Sequence, residues 1–137
     1  MKYLRTFESV NKLKFTEGED RRYYFSTDRY DYRVMVYQSS DGDPPSFGFK
    51  AKKKGDTDFN YDQSIITNDN LYLVMRTILE ILSRDMRKYK EKSYIISSYS
   101  TRKGKQRMNL YRRVLTKNGW VIEPTEFPTY FLIKKRR

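Results

Sequence analysis

The 137-residue chain contains neither cysteine nor histidine. That double absence excludes disulfides, thiolate nucleophiles, Cys/His zinc sites and every histidine general base. Any catalysis would fall to Asp, Glu, Tyr, Lys, Ser or Thr. Long apolar runs are missing too. LYLVM at 71–75 and YFLI at 130–133 are the longest, far short of the roughly 20 residues a helix needs to cross a bilayer. The first residues, MKYLRTFESVNK, lack the apolar core of a secretory signal, so the expectation is a soluble protein with no membrane partner. No phosphate-cradling Gly-rich loop, no Gly-x-Ser-x-Gly elbow and no paired acids at catalytic spacing occur. Asp41 and Asp43, and Asp56, Asp58 and Asp62, cluster near Gly and Pro. They lack the length and closing Glu of a calcium loop, and turn chemistry accounts for them, so no metal site is expected.

Acidic residues are scarce in one region only. Residues 84–137 hold 16 Lys/Arg against four acids, Asp85, Glu91, Glu123 and Glu126, whereas residues 1–83 hold thirteen of each sign. The whole net charge of +12 therefore lies in the last 54 residues. A field polarised in this way concentrates anionic partners and speeds encounter with them. It also keeps a chain with 13 Tyr and 8 Phe in solution. Those aromatics supply large apolar area, so 37% hydrophobic content still predicts one folded domain over 1–137.

The pattern along the chain predicts strands over 1–66 and a basic helix-strand-helix-strand region over 67–137. KLKFTE (12–17) alternates apolar and polar residues. RRYYFSTDRYDYRVMVYQ (21–38) divides into two strands at its STDRYD turn formers. SSDGDPP (39–45) is a loop, SFGFKAKK (46–53) alternates again, and FNYDQSII (59–66) follows a KGDTD turn. TNDN at 67–70 offers caps to a helix over 71–91, with Leu71, Val74, Met75, Ile78, Leu82 and Met86 on one face. SYIISSYS (93–100) is a strand. GKQRMNLYRRVLTKN (104–118) repeats the helical period through Met108, Tyr111, Val114 and Leu115, and Asn118-Gly119 stops it. WVIEP (120–124) and TYFLIKK (129–135) are strands. The fold class is α+β: a mostly antiparallel sheet with two helices packed on it.

Six cations, Arg102, Lys103, Lys105, Arg107, Arg112 and Arg113, crowd into this last helix and the STRKGKQR segment (100–107) before it, with Tyr99 close by. Lys105, Arg112 and Arg113 are expected to point outward, away from the stripe of Met108, Tyr111 and Leu115. Such side chains neutralise phosphates, and an exposed aromatic can stack a base. With no base-reading code among them, binding is expected to be largely independent of sequence. An acidic protein surface would meet the same chemistry. The contact surface is expected on residues 84–117, with help from the KKRR tail (134–137).

The order meander, long helix, strand, shorter helix, with Leu110-Tyr111 on the second helix and Gly119-Trp120 after it, resembles the C-terminal half of the GNAT acetyltransferase superfamily over residues 30–137. The resemblance implies a GNAT-like topology and places Tyr111 where the superfamily keeps the acid that protonates the leaving thiolate. The superfamily's glycine-bearing pyrophosphate loop has no counterpart. IITNDNLYLV (65–74) has no glycine and would set Asp69 beside the phosphates, so no cofactor is expected. Tyr111 precedes Gly119 by eight residues, about one helical turn beyond the usual spacing, and core packing on the buried helix face accounts for it. The module IISSYSTRKGKQRMNLYRRVLTK also resembles small proteins of tailed bacteriophages. It implies a phage-type protein in the host cytoplasm or the virion. The expectation is a non-catalytic binding protein. The rivals are an acetyl-CoA-dependent N-acetyltransferase using Tyr111, and a structural virion component.

Overall fold

A computed structural model describes residues 13–38, 42–59, 71–97 and 102–136. They form an α+β fold with a seven-stranded sheet and two helices. In chain order the elements are β1 (Thr16–Glu17), β2 (Arg22–Ser26), β3 (Tyr30–Tyr37), β4 (Ser46–Lys53), α1 (Leu71–Tyr89), β5 (Tyr94–Ser97), α2 (Arg102–Lys117), β6 (Trp120–Pro124) and β7 (Tyr130–Lys135). The sheet order is β1-β2-β3-β4-β5-β7-β6. β1–β2, β2–β3, β5–β7 and β6–β7 pair antiparallel, and β4–β5 is parallel, with Ser46 opposite Ile95. The expected strand over 59–66 and the caps at 67–70 lie outside the described residues, as do Asp41, Asp62 and Tyr99; Phe59 itself is in a loop.

The described chain packs as two compact units, and the boundary falls inside β3, β4 and α1. One gathers 13–35, 49–59 and 71–83; the other gathers 36–38, 42–48, 84–97 and 102–136.

The first unit rests on the period-two pattern of its strands. Tyr23 and Phe25 in β2, and Tyr30, Tyr32 and Val34 in β3, are buried, while the residues between them are more exposed. Phe25 and Tyr32 face each other directly across the strands, their rings stacked at 4.8 Å. Such cross-strand aromatic pairs hold register as well as area. Phe49 and Ala51 of β4 extend the core, and α1 adds Val74, Met75, Ile78, Leu79, Ile81 and Leu82. Thr77 lies in the same apolar face, fully buried. Its hydroxyl accepts the Leu13 N–H at 2.8 Å and donates to the Leu73 carbonyl at 2.8 Å, which satisfies a polar group that burial would otherwise penalise. The buried arc of α1 is wider than the expected stripe, since Leu79, Ile81, Ser83 and Asp85 belong to it and Met86 is only half-buried.

In the second unit, α1 ends in a C-cap made without glycine. Lys90 takes φ +56°, and the Glu91 N–H donates to the Met86 carbonyl at 3.1 Å, the 6→1 bond of a Schellman motif. A side chain in the left-handed region is penalised where glycine is not. Lys90→Gly is therefore expected to raise stability by about 0.5–1 kcal/mol in urea unfolding. A fall in stability would show that the Lys90 side chain outweighs its backbone strain.

One turn further in, Asp85 is fully buried and accepts the Tyr94 hydroxyl proton at 2.8 Å, Tyr94 being fully buried as well. Deleting the donor removes a bond from a buried acceptor and leaves less to offset its desolvation. Tyr94→Phe is expected to cost about 1–3 kcal/mol, measured by the same unfolding experiment. An unchanged midpoint would mean that Asp85's other interactions suffice.

Ile96, Tyr111, Val114, Leu115, Trp120 and Ile133 complete this unit's core, and α2 packs on β6. Gly119, at φ +80°, terminates α2 where the sequence places the stop. Its carbonyl accepts the Arg136 N–H at 2.7 Å, joining the helix exit to the end of β7.

Candidate polyanion interface and an aromatic cleft

α2 begins at Arg102, so the STRKGKQR segment is helical from that residue rather than a loop. Arg, Lys, Gln and Met are good helix formers, and one glycine near the helix start does not outweigh them. The six expected site residues therefore share a single element. Helical register separates them. At 100° per residue, positions 102, 105, 109, 112, 113 and 116 run along one side, while 103 and 107 align with Leu110 and Val114. The register thus groups Arg102, Lys105, Arg112 and Arg113, and sets the Lys103 and Arg107 positions apart from them.

The side chains described on α2 begin at Asn109. Arg112, Arg113, Thr116 and Lys117 are exposed; Tyr111, Val114 and Leu115 are buried. The Thr116 hydroxyl donates to the Arg112 carbonyl at 2.7 Å, turning its polar group into the helix and away from the neighbouring arginines. No acidic residue occupies the first turn of α2, where the helix dipole would favour one, and Arg102, Lys103 and Lys105 stand there instead.

The basic tail and Tyr111 have these surroundings. Lys134 and Lys135 of the basic tail belong to β7. Lys134 pairs with Glu123 at 2.8 Å, and the Lys135 ammonium lies 5.9 Å from the centre of the Trp120 ring. Both lysines are thus engaged by the hairpin, and among the described residues Arg136 is the tail's exposed arginine. Tyr111 is only 7% exposed. It sits on the inner face of α2 with Val114 and Leu115, as core packing requires.

Sequence reasoning missed a second feature of this unit. A cleft of about 460 Å³ opens among the end of β3, the start of β4, β5 and the β6–β7 loop. Its walls include Tyr37, Phe127 and Tyr130, which are 51%, 57% and 45% exposed, together with Asp43 and Glu126. Phe127 and Tyr130 meet edge to face at 6.0 Å. The loop that carries them is tied down. The Tyr130 N–H donates to the Phe127 carbonyl at 3.2 Å, closing a turn with Pro128 in its second position, where a fixed φ is favoured. Thr125 Oγ1 accepts the Phe127 N–H at 3.1 Å and donates toward the Tyr130 carbonyl at 2.9 Å. The available signal was a Phe-Pro pair in an otherwise polar loop. Its partners Tyr37 and Asp43 lie more than 80 residues earlier, and no local pattern connects them.

Among the described residues no helix is long and apolar enough to cross a membrane, and no group of three or more His, Cys, Asp or Glu could hold a metal ion. No family model matches the chain, and no significant match is found among curated proteins or solved structures.

Proposed function

We propose that this chain is a non-catalytic, phage-type binding module whose α2 face grips a polyanion, nucleic acid foremost, by phosphate neutralisation. The observation that carries the reading is the division of α2: Arg112 and Arg113 are exposed side by side, while Tyr111, Val114 and Leu115 fix the opposite face in the core. Backbone register adds the Arg102 and Lys105 positions to the same ridge, which then extends along the helix. A rigid row of cations suits phosphates, each neutralisation releasing condensed counterions. Arginine favours such pairing because its planar fork meets two phosphate oxygens at once.

The order of elements supports a GNAT-like ancestry: a meander, a long helix, a strand paired parallel to β4, and a shorter helix. Use of Tyr111 as a catalytic acid fits less well, because a proton donor must reach its substrate and this hydroxyl belongs to a residue packed in the core. The module would act in the cytoplasm of an infected cell or within a virion, as the resemblance to phage proteins implies. An acidic protein surface is the competing partner. Binding of a mixed-sequence oligonucleotide by wild type and by Arg102/Lys105/Arg112/Arg113→Ala tests the reading. Equal binding by both proteins would overturn it.

A further inference from the structure

The cleft beside the β6–β7 loop has the opposite character to α2. In a unit whose exposed charge is mostly positive, it presents three exposed aromatic rings and two carboxylates. Neither Asp43 nor Glu126 forms an ion pair with a described residue, whereas Glu123, on the same hairpin, is neutralised by Lys134. Aromatic faces carry negative charge density and attract cations. The attraction grows when a carboxylate supplies a full charge beside them.

A nucleobase could stack on the same rings, but the phosphates it carries would meet Asp43 and Glu126. A purely apolar ligand would leave both carboxylates without a counter-charge. The long-range field of the protein repels cations, yet screening over about 8 Å at physiological salt leaves the nearest charges in control. The cleft is also preformed, since the Thr125 bonds and the Phe127–Tyr130 turn hold the rings before any ligand arrives. That lowers the ordering cost of binding.

We propose that this cleft binds the guanidinium of an arginine presented by a peptide segment of a protein partner, stacked on the ring of Phe127 or Tyr130, with the other ring meeting it edge-on, and paired with Glu126 or Asp43. Arginine is favoured over lysine because its flat, weakly hydrated head can stack on a ring and reach a carboxylate at the same time. The site does not depend on the polyanion reading of α2, and either can fail alone.

The test is a titration of the full chain with a blocked Gly-Arg-Gly peptide, followed by the aromatic NMR signals of Phe127 and Tyr130. The same peptide with citrulline in place of arginine is the neutral isostere. Saturable shifts with the arginine peptide are expected, at least about tenfold weaker with citrulline. Glu126→Gln and Phe127→Ala, both at exposed positions, are each expected to weaken binding by about tenfold while the remaining spectrum stays folded. Equal affinity for the citrulline peptide, or no saturable shift at those two residues, would overturn the proposal. So would a single-stranded oligonucleotide that shifts the same two signals and displaces the peptide, because the occupant would then be a base.

Discussion

Trp120→Ala is expected to cost about 3–5 kcal/mol, a large share of the roughly 5–15 kcal/mol typical of a folded domain. Trp120 is 2% exposed and is the chain's only tryptophan. It opens β6 directly after the left-handed Gly119, on the strand against which α2 packs. Its removal would leave a void in the core of the second unit that close-packed neighbours cannot fill without moving the backbone. The Lys135 ammonium would be deprived of its ring as well. Trp120→Phe keeps part of the area and is expected to lose roughly half as much. Urea unfolding followed by far-UV circular dichroism is the appropriate measurement, because the substitution removes the fluorescent reporter. A loss below about 1 kcal/mol, the range of surface substitutions, would contradict this placement of Trp120 in the core.

The quadruple substitution Arg102/Lys105/Arg112/Arg113→Ala is expected to weaken oligonucleotide binding about a hundredfold at moderate salt, with little change in stability. That corresponds to somewhat under 1 kcal/mol for each cation–phosphate pair, as expected for exposed charges in water. The fold should survive because Arg112 and Arg113 are exposed and alanine is the best helix former. Removing cations from the start of the helix also relieves their repulsion by the helix dipole. As a control, Lys103/Arg107→Ala removes the same kind of charge from positions that helical register sets apart from the ridge. A smaller effect is expected there. Equal weakening in both variants would indicate attraction to net charge rather than engagement along a face.

Much of this architecture could be read from local patterns. The alternation of Tyr30, Tyr32, Val34 and Val36 marks β3, and the spacing of Val74, Met75, Ile78 and Leu82 marks α1. Gly119 ends α2 for a reason visible in the residue itself, its tolerance of positive φ. Relations between distant segments were harder to foresee. The parallel pairing of β4 with β5, and the position of β7 between β5 and β6, depend on tertiary packing that no local window encodes. The β1–β2 turn was hidden for another reason. Asp20 and Arg21 both adopt left-handed backbone, and the Arg22 N–H donates to the Glu19 carbonyl, yet no Asn-Gly announces the turn. Asp85 reads as a surface residue among lysines and arginines; the Tyr94 hydroxyl, nine residues on, is a partner that no local pattern announces.

The basic helix was legible as charge, because a side chain at 113 opposes one at 111 on any helix, and the charge of Arg112 and Arg113 keeps both out of the core. Its start was not, since the Arg-Lys-Gly run reads as a loop until the helical propensity of the residues around the glycine is weighed. The cleft was legible only in part. Phe127 next to Pro128 is an unusual loop residue, but the carboxylates that give the cleft its selectivity come from two separate loops.

The most direct test of the central claim is the salt dependence of oligonucleotide binding, measured by fluorescence anisotropy for wild type and the quadruple variant. If α2 neutralises phosphates, the logarithm of the binding constant falls linearly with the logarithm of salt concentration. On duplex DNA the variant's slope should then be shallower by about 0.9 for each phosphate no longer neutralised. Absence of binding at low salt, or identical slopes for the two proteins, would contradict the assignment of the α2 face to a nucleic-acid partner.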